Sequence, residues 1–430
     1  MSTSLKIAIA GLGTVGVGVL KILEAQKELI AARCGRPIEI VAVAANNRHR
    51  DRGVDISGYR WVDNALDFAE QDDVDLVVEL IGGSDGVAKE LAQKTLQAGK
   101  SFVTANKALI AHHGTMLART AHENGAALRF EAAVAGGIPI IKSIGEGLAA
   151  NRLNRVYGIM NGTCNYILTQ MEAKGESFED VLSEAQLLGY AEADPTFDVD
   201  GIDTAHKLAI LSSVAFGVET DFDNIYTEGI RHIAAVDIDY ADEIGYRIKL
   251  LGISSYSEGK LEQRVHPVLV QKNLPIAQVS DAFNAIVAEG DFIGRTFYEG
   301  QGAGEGPTAS AVVADLVDIA RGHNGAAFFV PADKLVKAEP VLIDDHEGAY
   351  YMRLHVAEKP GVIADITSIL KEQNVSLDVM LQKGHELDGS VYVVMVTHKT
   401  RENVLMQALN KIDALPIVLE KPVAIRIENL

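Results

Sequence analysis

The chain has 430 residues, sets 39 Lys and Arg against 59 Asp and Glu for a formal net charge of −20, and is 48% hydrophobic. That length exceeds what one hydrophobic core serves and calls for two or three domains, while so acidic a surface disfavours nucleic acid and anionic membranes as partners. Two cysteines, Cys34 and Cys164, are too few for a disulfide framework or a zinc site; with no signal-peptide core and no apolar run near the ~20 residues that span a bilayer, the expected location is the cytoplasm.

The first element is a strand over 5–10 that runs into Gly11-Leu12-Gly13-Thr14-Val15-Gly16. A helix follows over 15–25, continuing towards 32, and then a second strand over 38–44. In that context G-x-G-x-x-G reads as a dinucleotide turn: the first glycine permits the tight bend, the second admits a pyrophosphate, and the third lets helix and strand approach. The alternative is a glycine-rich structural turn. Helical residues near 65–70, a strand over 74–80, a helix over 86–98 and strands over 101–104 and 127–133 continue the alternation. They predict a doubly wound parallel sheet complete by about residue 135.

Gly136-Gly137-Ile138-Pro139 opens a helix to 148, and residues 136–306 read as an α+β domain with short strands over 155–160, 262–270 and 282–288. The glycine-rich segment 300–307, either a ligand-facing turn or a connector, leads to a helix over 307–322 that returns to cover the first domain. Residues 323–347 read as a linker. Over 348–430 the order is a strand (350–357), a helix (362–373), strands (376–381 and 391–397) joined across Asp388-Gly389, a helix (402–412) and a strand (418–427). This is a ferredoxin-like module expected to be separable.

A site preferring NAD usually ends its second strand on a carboxylate; here the strand ends Ala44-Ala-Asn-Asn-Arg48-His-Arg50-Asp-Arg52. The arginines favour NADP(H), with NAD(H) possible, against the reading of a solvated basic loop partly neutralised by Asp51. Thr104-Ala-Asn106-Lys107 follows a central strand at its carboxyl end, where ligands lie, which makes Lys107 a candidate for the cleft. In Asp200-Gly201-Ile202-Asp203-Thr-Ala-His-Lys207, Asp200 can cap a helix, and Asp203 and Lys207 share a face four residues apart. That helix is apolar nearly all round, so its charges need partners or a cleft. A lysine held there can pass a proton to a carbonyl oxygen undergoing reduction; the plain alternative is an ion pair, and the acidic series from Glu192 onward also raises a divalent metal. Cys164 suggests a cysteine-dependent semialdehyde dehydrogenase with His206 nearby, set against a small buried thiol. His112 and His113 read as a solvated loop.

Taken together, Gly11-x-Gly13-x-x-Gly16, Thr104-Ala-Asn-Lys107, Asn161-Gly-Thr-x-Asn165-Tyr166, Gly189-Tyr-Ala-Glu192-Ala-Asp-Pro195 and Asp200-Gly-x-Asp203-x-x-x-Lys207 resemble the homoserine dehydrogenase family over residues 1 to about 325. The last eighty residues, with Glu358-Lys-Pro-Gly361-Val362, resemble an ACT domain. No aspartokinase-like segment precedes the dehydrogenase portion, so the resemblance is to the single-activity form. It implies a Rossmann domain, a middle domain for substrate binding and dimerisation, and reversible NAD(P)H-dependent reduction of L-aspartate 4-semialdehyde to L-homoserine on the route to threonine and methionine. By the same resemblance Lys207 donates the proton, Asp203 orients substrate, Glu192 takes its ammonium group, and Lys107 lies between nicotinamide and substrate. Gly11 to Gly16, Arg48, Thr104, Lys107, Gly189 and Gly304 contact the cofactor. A sodium ion sits at Glu131 with backbone of Val134, Gly136 and Ile138, and an amino-acid effector, threonine being usual, binds at Gly361 and Val362. A homodimer or homotetramer is implied. A non-catalytic dinucleotide or amino-acid sensor is the competing reading.

Overall fold

The computed structural model describes residues 4–382 and 389–430; in the expected Asp388-Gly389 turn, Asp388 lies outside the described residues and Gly389 has φ +80°. The strands are β1 (Leu5–Ala10), β2 (Ile38–Ala44), β3 (Arg60–Trp61), β4 (Leu76–Glu79), β5 (Ser101–Thr104), β6 (Leu128–Arg129), β7 (Leu153–Ile159), β8 (Tyr226–Thr227), β9 (Tyr246–Ser257), β10 (Lys260–Gln271), β11 (Phe283–Gly290), β12 (Gly294–Gln301), β13 (Glu339–Val341), β14 (Glu347–Ala357), β15 (Leu377–Gln382), β16 (Ser390–Thr397), β17 (Thr400–Arg401) and β18 (Val423–Glu428). The helices are α1 (Thr14–Ala25), α2 (Lys27–Cys34), α3 (Val87–Gln97), α4 (Lys107–Glu123), α5 (Ile140–Lys142), α6 (Gly162–Lys174), α7 (Phe178–Leu187), α8 (Thr196–Val199), α9 (Ile202–Phe216), α10 (Ala235–Glu243), α11 (Pro275–Gln278), α12 (Glu305–Ala320), α13 (Val362–Glu372) and α14 (Glu402–Asp413).

Strands β1 to β6 form a parallel sheet in the order β3-β2-β1-β4-β5-β6. A Cβ on Gly16 would stand 2.2 Å from the Gly11 carbonyl oxygen, and one on Gly11, at φ +104°, would stand 2.4 Å from that of Leu80. Only glycine lets α1 start this close to the sheet. The expected helix to residue 32 breaks at Gln26, after which α2 turns Ile30 and Cys34 into the cluster shared with α12. That helix returns to α1, its Ala309 lying against Gly18 and its Glu305 taking Lys21 Nζ at 2.7 Å. The expected strand over 127–133 is cut to Leu128–Arg129, because Glu131–Ala133 winds into a short 3-10 turn whose Glu131 N–H donates to Asp315 on α12 at 2.8 Å.

The second sheet runs β12-β11-β7-β9-β10-β18-β14-β16-β15. Two of its long members, β9 and β12, were not among the strands read from sequence. Nor do residues 348–430 stand apart as a separable module: β18 pairs in parallel with β10 (Val268 with Arg426, Val270 with Glu428), so one sheet crosses from the middle domain into the C-terminal βαββαβ fold. The physical reason is that β10 carries a buried Arg264 matched to the buried Glu428 of β18. The segment expected as a linker is packed as well. Phe328 is 1% exposed, and the Phe329 ring fills the space a Cβ on Gly145 would take, beside the π-helical turn Ser143–Gly147 that ends the helix expected to run to 148.

Helix α9 lies at the centre of the middle domain, with every residue from Asp203 to Val214 buried. It packs against β9 at Gly252, where a Cβ would come within 3.0 Å of Thr204. It is entered through Gly201 in the left-handed region (φ +85°), not through an Asp200 cap, since Asp200 is drawn outward to Arg231.

Candidate active site

The cofactor side of the site is a cavity of about 380 Å³ at the carboxyl ends of β1, β2 and β4, lined by Gly11, Leu12, Gly13, Arg50 and Arg52 among others. Gly13 borders open space, with nothing within 4 Å of a Cβ. Among the described residues no side chain caps α1, which leaves its first N–H groups for an anion. Thr14 and Val15 form that first turn. Arg48 does not line the cavity; its guanidinium lies 6.0 Å from the Trp61 ring centroid. Arg52 lies 5.9 Å from the same centroid and spans the loop, donating to the carbonyls of Leu12 (3.3 Å) and Arg50 (2.8 Å), while Arg50 is exposed at the cavity wall.

Thr104 is fully buried, and its hydroxyl donates to Glu79 Oε2 at 2.6 Å. The other Glu79 oxygen accepts the N–H groups of Ile81 (2.6 Å) and Gly82 (3.0 Å). Glu79, which the sequence reading passed over, thus shapes the loop after β4. Asn106 caps α4 through Leu109 N–H (3.0 Å) and donates to the Gly83 carbonyl at 2.6 Å, which fixes Lys107 at the helix start.

Lys107 reaches across to α9, where its Nζ pairs with Asp203 Oδ1. Asp203 Oδ2 accepts from Lys207 Nζ at 2.8 Å and from Asn161 Nδ2 at 2.8 Å, and Lys207 Nζ also donates to the Met160 carbonyl at 2.6 Å. Burial pushes the Asp203 carboxyl up, but the two ammonium groups outweigh it and hold the group well below the usual carboxylate range. Burial lowers the Lys207 ammonium pKa, an effect Asp203 only partly offsets. Asp198, which takes the Asn161 amide at 2.8 Å, is raised by burial and by the Asp203 charge. The Phe197 ring covers Lys107 with Nζ 5.0 Å from its centroid. Asn161 thus clamps two carboxylates while its own oxygen caps α6 at Cys164 N–H (2.8 Å); an Asn three residues ahead of a helical Cys was the signal available in the sequence.

Gly189, at φ +80°, and Tyr190 lead to Glu192, whose side chain is exposed. Tyr190 stacks on Tyr166 at 4.6 Å and its carbonyl accepts from Thr163 (2.7 Å), so this loop is tied to the helix that Asn161 caps. Gly304, at φ +124°, opens α12. The acidic series does not gather: Asp194 accepts Thr196 N–H, Asp198 holds Asn161 and Asp200 holds Arg231. Among the described residues there is no cluster of three His, Cys, Asp or Glu side chains fit for a metal. Cys164 is fully buried, its Sγ donates to the Asp198 carbonyl at 3.2 Å, and burial followed by the nearby carboxylates pushes its thiol well above the ordinary range, which disfavours a nucleophilic thiolate. His112 and His113 belong to α4 rather than to a loop; His112 Nε2 lies 3.2 Å from His206 Nε2, and His113 lies 3.1 Å from Asp85.

A glycine-turn cavity on a parallel sheet, together with a buried Asp203–Lys207 pair of a second domain that Lys107 of the first domain reaches, marks a nicotinamide-dinucleotide-dependent oxidoreductase. Family models described as "Homoserine dehydrogenase, NAD binding domain", "Homoserine dehydrogenase" and "ACT domain" match residues 11–131, 139–317 and 350–416. Homoserine dehydrogenases of Pseudomonas aeruginosa and Helicobacter pylori are 47% and 40% identical to the chain, covering 99% and 100% of it and the same shares of their own lengths. A crystal structure of a homoserine dehydrogenase from Thiobacillus denitrificans is similar at 46% identity and a TM-score of 0.93, covering 99% of this chain and 98% of that one. A hyperthermophilic archaeal homoserine dehydrogenase in complex with NADPH matches 74% of this chain and 97% of its own at 25% identity and a TM-score of 0.63. The chain belongs to the homoserine dehydrogenase family, with its NAD(P)-dependent oxidoreductase activity and a C-terminal ACT domain.

Proposed function

We propose that the chain reduces L-aspartate 4-semialdehyde to L-homoserine, reversibly, on the route to threonine and methionine, with Lys207 as proton donor. The observation that carries this is the Asp203 carboxylate shared between Lys207 and Lys107 beneath Phe197. The nicotinamide, when bound, supplies the hydride to the aldehyde carbon. Lys207, fixed by Asp203 and the Met160 carbonyl, gives the proton to the oxygen as it gains charge, and recovers one from solvent. Asp203 orients substrate and keeps Lys207 charged. Lys107, one-third exposed and at the helix end nearest the parallel sheet, lies between the substrate and the nicotinamide. Glu192, on the loop tied to α6, takes the substrate ammonium. Gly189 and Gly304 border the cofactor.

NADP(H) is the favoured cofactor, because β2 ends without a carboxylate and Arg50 stands exposed at the cavity wall, as the NADPH-bound archaeal relative also suggests. Glu131 is 1% exposed, close to the buried Asp315, and is followed by the sharply bent Ala135 (φ +52°). The Glu131 oxygens each accept a backbone N–H, from Ile141 (2.9 Å) and Lys142 (3.0 Å), and with their remaining lone pairs the carboxylate and the carbonyls of Val134, Gly136 and Ile138 would hold a structural sodium ion. Gly361, at φ +94°, opens α13 beside a cavity of about 270 Å³ lined by Pro360, Val362 and Ile363, which suits an amino-acid effector, threonine being the expected one. The exposed Phe292 and Ile293 beside β12 favour assembly as a homodimer or a homotetramer, and the two free, buried cysteines fit a cytoplasmic enzyme.

The test is NADPH oxidation followed with aspartate semialdehyde and repeated with NADH. Semialdehyde-dependent oxidation that is faster with NADPH is expected, and no oxidation with either cofactor by folded protein would overturn the reading. Arg50→Ala should raise KM for NADPH by about 10- to 100-fold, the loss of one hydrogen bond to a charged group, and leave that for NADH nearly unchanged. Equal effects on both would return the arginines to a solvated loop.

A further inference from the structure

His206 directly precedes Lys207 on α9, yet it has no part in the hydride and proton transfers described above. Its ring is 5% exposed and stacks on two others, Phe222 at 4.4 Å with 9° between the planes and Phe197 at 5.5 Å with 26°. Phe197 is the ring that covers Lys107, with Nζ 5.0 Å from its centroid. Because Phe197 is itself 39% exposed, its place over the ammonium depends on what it rests against, and that is the His206 ring.

The His206 ring is held from the first domain. Its Nε2 lies 3.2 Å from His112 Nε2 on α4, one nitrogen donating and the other accepting. Nδ1 of His206 is buried with no partner among the described residues, so the bond to His112 fixes how the ring is turned. Phe222 is tied to the same helix: the His112 ring lies 4.5 Å from it, and Thr220 N–H donates to Thr115 Oγ1 at 2.9 Å. The contacts therefore leave α4 at His112, cross to α9 at His206, and return through Phe197 to Lys107 at the head of α4.

Histidine suits this place because it combines an aromatic face with a hydrogen-bonding edge and stays uncharged. Burial, then His112 and Lys107, outweigh Asp203 and push its pKa down to about 4, so at neutral pH it adds no third positive charge to the Lys107–Asp203–Lys207 group. Phenylalanine here would stack without reaching His112, and glutamine would reach His112 without stacking.

We infer that His206, held by His112 across the domain boundary, is a positioning residue for the reduction: it seats Phe197 over Lys107 and so sets where that ammonium stands. The inference rests on the proposed place of Lys107 between substrate and nicotinamide.

The test separates ring from bond in the full chain with two readouts. One is kcat and KM for NADPH in semialdehyde reduction; the other is the rate at which acetic anhydride labels Lys107 without substrate, read by peptide mass spectrometry. His206→Gln keeps the bond and removes the ring, with His206→Leu as a second ring-free variant. Each should lower kcat by about 10- to 100-fold, the effect of misplacing a group at the reacting centre, and leave KM for NADPH unchanged. Each should also raise Lys107 labelling by about 2- to 5-fold, as loss of a partly exposed cation–π contact does. Phe197→Ala should match them in both readouts, and the double variant H206Q/F197A should be no worse than F197A. His206→Phe, and His112→Ala at an exposed position, remove the bond alone and should lower kcat by about 2- to 10-fold, the worth of one neutral hydrogen bond. Losses that multiply in the double variant, or parent labelling of Lys107 in both ring-free variants, would overturn the seating of Phe197 by His206. Parent kcat in both H206F and H112A would overturn the hold by His112. A parent enzyme that leaves the semialdehyde unreduced would overturn the proposed reaction instead, and the labelling comparison would still decide the contact.

Discussion

Lys207→Ala retains dinucleotide binding and lowers turnover by roughly 10²- to 10⁴-fold, the usual contribution of a positioned general acid. The variant should fold, because Asp203 keeps Lys107 and the Asn161 amide as partners when Lys207 is gone. The loss belongs in kcat rather than in the KM for NADPH, since the cofactor cavity lies on the parallel sheet and Lys207 on α9. The pH dependence gives an independent check. In the reducing direction the donor must be charged, and burial depresses the Lys207 pKa. The reduction rate therefore falls as pH rises through a value below the ordinary lysine range, and the oxidation rate rises over the same interval. Asp203→Asn removes the charge that partly offsets burial and should move that limb to still lower pH. Wild-type turnover in K207A would dismiss Lys207 as donor and direct attention to Lys107, the other ammonium on Asp203.

The parts of this arrangement that could be read from the sequence are those in which a local rule and the tertiary role coincide. Gly11, Gly13 and Gly16 stand within a few residues of one another; Gly16 is required by its approach to the Gly11 carbonyl and Gly11 by its approach to Leu80, while Gly13 borders open space. Asp203 and Lys207 fall on one helical face, and α9 is buried because it is apolar all round. What escaped depends on partners far along the chain. Strand β9 carries Arg247, Lys249 and Ser254 among its apolar residues, so its alternation is blurred. Yet Lys249 is buried against Asn165 and the Val279 carbonyl, and Ser254 meets Ser212 of α9. Arg48, Arg50 and Arg52 are equivalent on paper; only the turn of the loop sends Arg48 to Trp61 and leaves Arg50 at the cavity. The fusion of the C-terminal fold with the middle sheet has no local signature, because it rests on pairs such as Arg264 with Glu428 that no spacing rule connects.

Arg426→Ala tests that fusion, and its effect should be on stability. Arg426 is shared by Glu402 on α14, by Glu228 and by the Tyr226 hydroxyl at 3.2 Å, so its partners come from both sides of the junction. Removing it leaves the buried Glu402 and the half-buried Glu228 with less compensation, and breaking a buried pair from one side costs about 3–5 kcal/mol. Thermal unfolding should shift down by about 3–6 °C for a chain of this length. The sign of the pH dependence separates this from a plain loss of packing. In the parent, burial pushes the Glu228 carboxyl up, but His232 and Arg426 hold it down at about 2, so its contribution to stability is fully present above the unfolded carboxylate pKa and is lost below it, as pH falls through about 2. In the variant His232 and the Tyr226 hydroxyl still hold Glu228 but the Arg426 attraction is gone, so its folded pKa rises towards the unfolded value and the stability it contributes above that value shrinks. The deficit of R426A is therefore largest near neutral pH and narrows below the unfolded carboxylate pKa. The double variant R426M/E402Q, which removes a charge on each side and keeps volume, should recover a substantial part of the loss. A neutral-pH deficit below about 1 kcal/mol, the scale of exposed ion pairs, or one that does not depend on pH, would mean that the junction is held by the β10–β18 ladder and its apolar neighbours, with the charge network contributing little.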